Sequence, residues 1–157
     1  MKRILFVLFA VLFIAGIANA AIVYDPKTGS GIELISVYNN SASTLDAGDV
    51  VVWAATGSTG DNDAYVTTTT TANTFLVAGV VYPADIAAYD VGSIAVKGIV
   101  AVDTLGNSEG TALCSSGTAG AARPCGTAAT TGYGLVGIST AAATAATGTV
   151  NVILKVQ

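Results

Sequence analysis

The chain has 157 residues, of which 52% are hydrophobic and only 10% charged; ten acidic side chains face six cationic ones, for a net charge of −4, and there is no histidine. Cations this few and scattered argue against nucleic acid as a partner, because affinity for a phosphate backbone comes from clustered Lys and Arg. Lack of histidine removes the Ser-His-Asp and Cys-His systems and the commonest general base, so the sequence points away from an enzyme.

Residues 1–20 place Lys2 and Arg3 before an apolar run from Ile4 to Ile17 and end on Ala18-Asn19-Ala20. This is the pattern of a secretory signal peptide with a small-x-small cleavage site. A retained anchor is the alternative, but the run is shorter than the roughly 20 residues that span a bilayer. After cleavage at Ala21 no membrane span is expected, and the cations left are Lys27, Lys97, Arg123 and Lys155. The expected location is secreted, extracellular or at the cell surface. Residues 21–31 then form an N-terminal arm. Its apolar Ile22, Val23 and Tyr24 are candidates for an oligomer interface by strand addition to a neighbour, or for packing on their own domain.

From 32 to 157 strand signals dominate. The runs 32–38, 48–54, 64–71, 74–82, 92–102, 133–139 and 148–156 are rich in β-branched or aromatic residues and bounded by Gly, Asn, Asp, Pro or Ser. About seven short, mostly antiparallel strands in one domain predict an all-β fold, a compact β-barrel or β-sandwich. In the last run Val150, Val152, Leu154 and Val156 share one face, the pattern of a half-buried strand. In 92–101, strict alternation puts Ile94, Val96, Gly98 and Val100 on one face and Ser93, Ala95, Lys97, Ile99 and Ala101 on the other. Residues 83–90 are expected to make one helical turn after Pro83, and 139–148 either a short helix or a loop.

Residues 104–131 are Gly, Ala, Ser and Thr with few large apolar groups, and predict a long loop. Cys114 and Cys125 lie inside it. In an exported chain two cysteines at this spacing predict a disulfide, whose loop closure stabilises by about 3 kcal/mol. No cofactor is implied. Asp61 and Asp63 in "TGDNDAY" are weak metal candidates, since the stretch lacks the continuation of a calcium loop. Most of the acids sit beside Gly, Asn or Pro at expected turns, where short carboxylates cap loops.

Lys97 would need a desolvating pocket to act as a Schiff-base amine, and its neighbours supply none; it reads as an outward-facing side chain. Trp53, Tyr38, Tyr65, Tyr82, Tyr89 and Tyr133 are candidates for a carbohydrate- or surface-binding module, although strand aromatics are more often core. Asn39-Asn40-Ser41 and threonines 67–71 are candidate sugar attachment points in an exporting cell, or ordinary turn and strand residues.

Gly48-Asp49 opening a valine run, Ala78-Gly79-Val80, Val96-Lys97-Gly98, and Gly137 with Val150, Val152 and Leu154 follow one another in an order that resembles the small β-barrel proteins that decorate and stabilise tailed-phage capsids. The resemblance implies a barrel-like, oligomeric domain that binds a protein lattice and has no active site. A secretory signal departs from that pattern, because capsids are decorated in the cytoplasm. The leading expectation is therefore an exported, non-catalytic subunit that assembles with itself into a filament, sheath or surface layer. The alternatives are capsid decoration at the virion surface and a secreted binding module.

Overall fold

Val50-Val51-Val52 and the run from Val77 to Val81 have no polar face, and a strand without one must be covered on both sides. The computed structural model shows how. It describes residues 22–24, 31–54, 64–72, 74, 76–126, 134–143 and 148–155. The strands are β1 (Ile22–Tyr24), β2 (Gly31–Asn39), β3 (Val50–Trp53), β4 (Tyr65–Thr67), β5 (Val77–Val81), β6 (Val91–Thr104), β7 (Ala112–Ser115), β8 (Ala122–Pro124), β9 (Leu135–Ser139) and β10 (Gly148–Lys155). The fold is all-β, as expected.

Strands β2, β4, β3, β5 and β6 pair in that order, and β6 returns to β2, closing a five-stranded barrel. From β6 the sheet continues through β10, β9, β7 and β8, and β8 returns to β6 at Thr104↔Ala122. A second ring is thereby closed, and β6 belongs to both. Its first half borders the first ring and its second half the other.

The two rings are one unit built twice. Parallel β2–β4 recurs as parallel β6–β8. Antiparallel β3–β5, with a register shift between Val51 and Val52, recurs as β7–β9 with a shift between Leu113 and Cys114. The bridge Leu45↔Ile86 recurs as Asn107↔Ala143. Gly48, at φ 103°, donates its N–H to Val81 at 3.0 Å, and Gly110, at φ 73°, donates to Ser139 at 2.9 Å. In this correspondence Val51 matches Leu113, Val52 matches Cys114, Val80 matches Ile138 and Asn39 matches Thr104.

Packing explains the valine runs. The first ring encloses Val37, Leu45, Val51, Val66, Ala78, Val81, Ile86 and Ile94. The second ring's interior, including Val100, Val102, Leu113, Val136, Val150 and Val152, closes on the outer wall of the first, formed by Ile32, Leu34, Val50, Val77, Val80 and Ala95. Strands β3 and β5 are thus sandwiched between two cores, and each fully buried valine contributes about 1.5–3 kcal/mol.

All seven expected strand runs contain a strand, and β1, β7 and β8 are additional. Residues 104–131, expected as a loop, hold β7 and β8. Their Ala, Ser and Cys residues have little intrinsic strand preference, and it is pairing within the ring that makes them strands. No helical turn follows Pro83: Ile86 instead exchanges backbone hydrogen bonds with Leu45 at 2.8 and 2.9 Å. Residues 140–143 form a bend bridged to Asn107, and 144–147 lie outside the described residues.

Strict alternation in β6 is also corrected. Lys97 is opposite Glu33 while Ala95 is opposite Leu34, so Val96 is an extra, bulged residue. Ala95 consequently joins the face of Gly98, Val100 and Val102. A Cβ on Gly98, at φ 110°, would lie 2.9 Å from the Gly31 carbonyl oxygen, so the bulge requires glycine there.

Candidate functional site

Where the two rings meet, the loop before β3 lies against the end of β6 and the turn before β8. Asp103 donates its N–H to Gly48 at 3.0 Å, and Val50 donates to Gly120 at 2.6 Å. Between them runs a groove of about 340 Å³ lined by Asp49, Asp103, Thr104, Thr118, Gly120 and Thr149, among others. Gly120 has φ 77°, and a Cβ there would collide with the Asp49 carboxylate.

Asp49 accepts the Asp46 N–H at 3.0 Å, Asp85 accepts the Ala47 N–H at 2.7 Å, and Asp103 accepts the Thr149 hydroxyl at 2.7 Å. Burial raises the Asp49 carboxyl above its ordinary value of 3.8; the Asp46 N–H opposes this, and the charges of Asp46, Asp103 and Asp85 add to it. Asp49 and Asp85 thus hold backbone donors of a turn, the role assigned to acids from the sequence, while Asp103 holds a hydroxyl across the β6–β10 ladder. Among the described residues no group of three or more His, Cys, Asp or Glu side chains is placed to hold a metal. Asp61 and Asp63 lie outside those residues.

Cys114 and Cys125 are bridged, with Cα atoms 5.0 Å apart. Both are buried, and the bond ties β7 to the residue after β8. It pins a ring-closing hairpin rather than a loop.

The backbone of Ile22, Val23 and Tyr24 pairs with Glu33, Ile32 and Gly31 of its own chain. Lys97 is exposed, with Glu33 opposite it on β2 and Lys155 opposite it on β10. The aromatic candidates are dispersed. Tyr38 and Tyr65 meet edge to face with centroids 5.3 Å apart, Tyr82 packs on the core, Trp53 ends β3 and Tyr89 is exposed in the 83–90 turn. Tyr133 lies outside the described residues.

Asn39 takes the second of the two roles the sequence allowed, that of a strand and turn residue rather than a sugar attachment point. It is fully buried; its Nδ2 donates to the carbonyls of Ser43, Ile86 and Ala87 at 2.8, 3.1 and 3.0 Å, and its Oδ1 accepts from Ser41. Its amide is committed to joining two turns, which leaves no nitrogen for a sugar. The signal available in the sequence was an asparagine in phase with Val37 at the end of a strand.

The outer wall of the second ring was missed in the reading from sequence. Ile99 is opposite Ile153, Ile153 opposite Ile138, and Ile138 opposite Ala112. These residues make a row across β6, β10, β9 and β7 in which none is fully buried, and Ile153 is 43% exposed.

No family model matches the chain, and no curated protein matches it. Among solved structures, the crystal structure of the head fiber gp8.5 N base in bacteriophage phi29 is similar, with 16% identity, a TM-score of 0.54, and coverage of 78% of this chain and 94% of that one. At this identity the likeness is one of fold: this chain shares the architecture of a phage head fiber base.

Proposed function

We propose that the chain is a non-catalytic structural protein of a virion surface, a capsid-attached decoration or fiber-base module. The observation that carries this reading is the fold likeness to the phi29 head fiber base over nearly all of that chain. It agrees with the sequence resemblance to capsid decoration proteins, and with a groove whose two carboxylates are engaged by the Asp46 N–H and the Thr149 hydroxyl. It favours the capsid reading over the exported filament, whose main support is the signal-like segment 1–20, outside the described residues.

The lattice partner in this reading is a capsid shell, and the location is the virion. The test is labelling by antibody raised against the purified chain, read by electron microscopy on density-banded, nuclease-resistant particles and on intact cells of the source culture. Labelled capsids are the expected result. Label confined to cell-surface filaments or sheaths would overturn the reading in favour of export.

A further inference from the structure

The internal repeat assigns a partner to the outer wall of the second ring. In the first ring that wall is covered: Leu34, Val50, Val77, Val80 and Ala95 are buried under the second ring. Following the strand correspondence, their counterparts are Ile99, Ala112, Leu135, Ile138 and Ile153; Ile32, also on that wall, is matched by Lys97. The five counterparts other than Lys97 are apolar and none is buried. In stacked repeats the terminal unit ordinarily carries a polar outer face. Here, apart from Lys97, the last unit keeps the apolar composition of an inner one.

Charge along the wall indicates what covers it. At one end Lys97 and Lys155 are directly opposite each other, with a single acid, Glu33, on the far side of Lys97. Like charges opposed across strands are destabilising. At the other end, on the same face of β6, stands Asp103, with Asp49 beside it in the groove. Six residue steps of strand take Lys97 to Asp103, about 20 Å, and the isoleucine row lies between them.

A surface with a cationic end, an apolar middle and an acidic end complements itself when rotated by half a turn. We infer that a second copy of this chain docks on the outer wall of β6, β10 and β9 as a two-fold pair, isoleucine row against isoleucine row and the Lys97–Lys155 end of each copy over the Asp103 end of the other. The pairing does not depend on the virion reading and is measured on the purified chain alone.

The test combines sedimentation equilibrium of the full chain with three variants. The wild type is expected to stop at a dimer that weakens as salt rises. Ile153→Glu changes a solvent-exposed position, so the β circular dichroism should persist while the dimer dissociation constant rises at least tenfold. Lys97→Glu should weaken the dimer by a similar factor, and adding Asp103→Lys to it should restore pairing. Ala101 lies near the proposed axis, and the native cysteines are bridged; Ala101→Cys should therefore form a disulfide-linked dimer on mild oxidation. A monomer at all concentrations, polymers beyond the dimer, or a dimer that neither crosslinks through Ala101→Cys nor responds to Ile153→Glu would each overturn the proposal.

Discussion

The first and second rings have the same strand pairings and the same bridging loop, yet they are held by different forces. At matching positions Leu45, Val66, Val81 and Ile86 of the first ring become Asn107, Ala122, Ser139 and Ala143 of the second. Apolar volume is replaced by hydrogen bonds. The Ser139 hydroxyl donates to the Ser108 carbonyl at 2.8 Å, Asn107 Nδ2 to the Ala141 carbonyl at 2.8 Å, and the Thr104 hydroxyl to the Gly148 carbonyl at 3.0 Å. The second ring also has the Cys114–Cys125 bond, where the first has only Val52 at the position of Cys114. Net stabilisation by one hydrogen bond is about 1 kcal/mol, less than a buried isoleucine provides, and the disulfide offsets the difference. Both rings have an apolar interior, but the bridging loop is held by buried Leu45 and Ile86 with the Asn39 amide in one copy, and by side-chain hydrogen bonds with a nearby covalent tie in the other.

The sharpest way to break this contrast is Ile86→Ala, which gives the first ring the residue that the second has at that place. It removes a fully buried side chain and should cost about 3–4 kcal/mol in denaturant unfolding. A cost under 1 kcal/mol would mean the loop bridge does not depend on apolar packing. Replacing both Cys114 and Cys125 with alanine should lower stability by about 3 kcal/mol. Hydrogen exchange should then quicken in β7, β8 and β9 well before it does in β3 and β5; uniform quickening would contradict a tie specific to the second ring.

Smaller effects separate the two polar clamps. Asn39→Ala leaves buried carbonyls and the Ser41 donors without their partner, and about 2 kcal/mol of destabilisation is expected; Thr104→Val, with two acceptors for one hydroxyl, should cost about 1 kcal/mol. The ordering, read from paired urea titrations, is what matters. Asp49→Asn should have the smallest effect. Because burial raises the folded pKa above 3.8, the folded chain binds the proton more tightly, and stability falls as pH rises from the unfolded value through the folded one. Asparagine keeps the acceptor for Asp46 without that charge, so the variant's stability should depend less on pH across this window. An unchanged pH profile would remove Asp49 as the source.

How much was legible in advance varied with chemistry. Runs of Val and Ile announced β2, β3, β5, β6, β9 and β10, because β-branched side chains at strand spacing carry their own signal. Strands β7 and β8 did not, since Ala112, Ser115 and Ala122 acquire strand geometry only from neighbours distant in sequence. The alternation rule failed in β6 for a similar reason: the bulge at Val96 is fixed by register against β2, which a one-strand pattern does not contain. The disulfide and the turn roles of the acids were readable from spacing and residue type. The apolar outer wall was not, because Ile99, Ile138 and Ile153 are far apart in sequence and become a row only when the strand registers are known. The repeat was equally hidden, since matched positions such as Leu45 and Asn107 differ in polarity.

Strand β6 runs for 14 residues through both rings with no linker between them. At about 3.3 Å per residue it forms a single rail roughly 46 Å long. A load applied along it is borne in shear by the ladders to β2 and β10, whose hydrogen bonds must break together rather than one at a time. The chain therefore behaves mechanically as one stiff strut, without the hinge that two barrels joined by a loop would have.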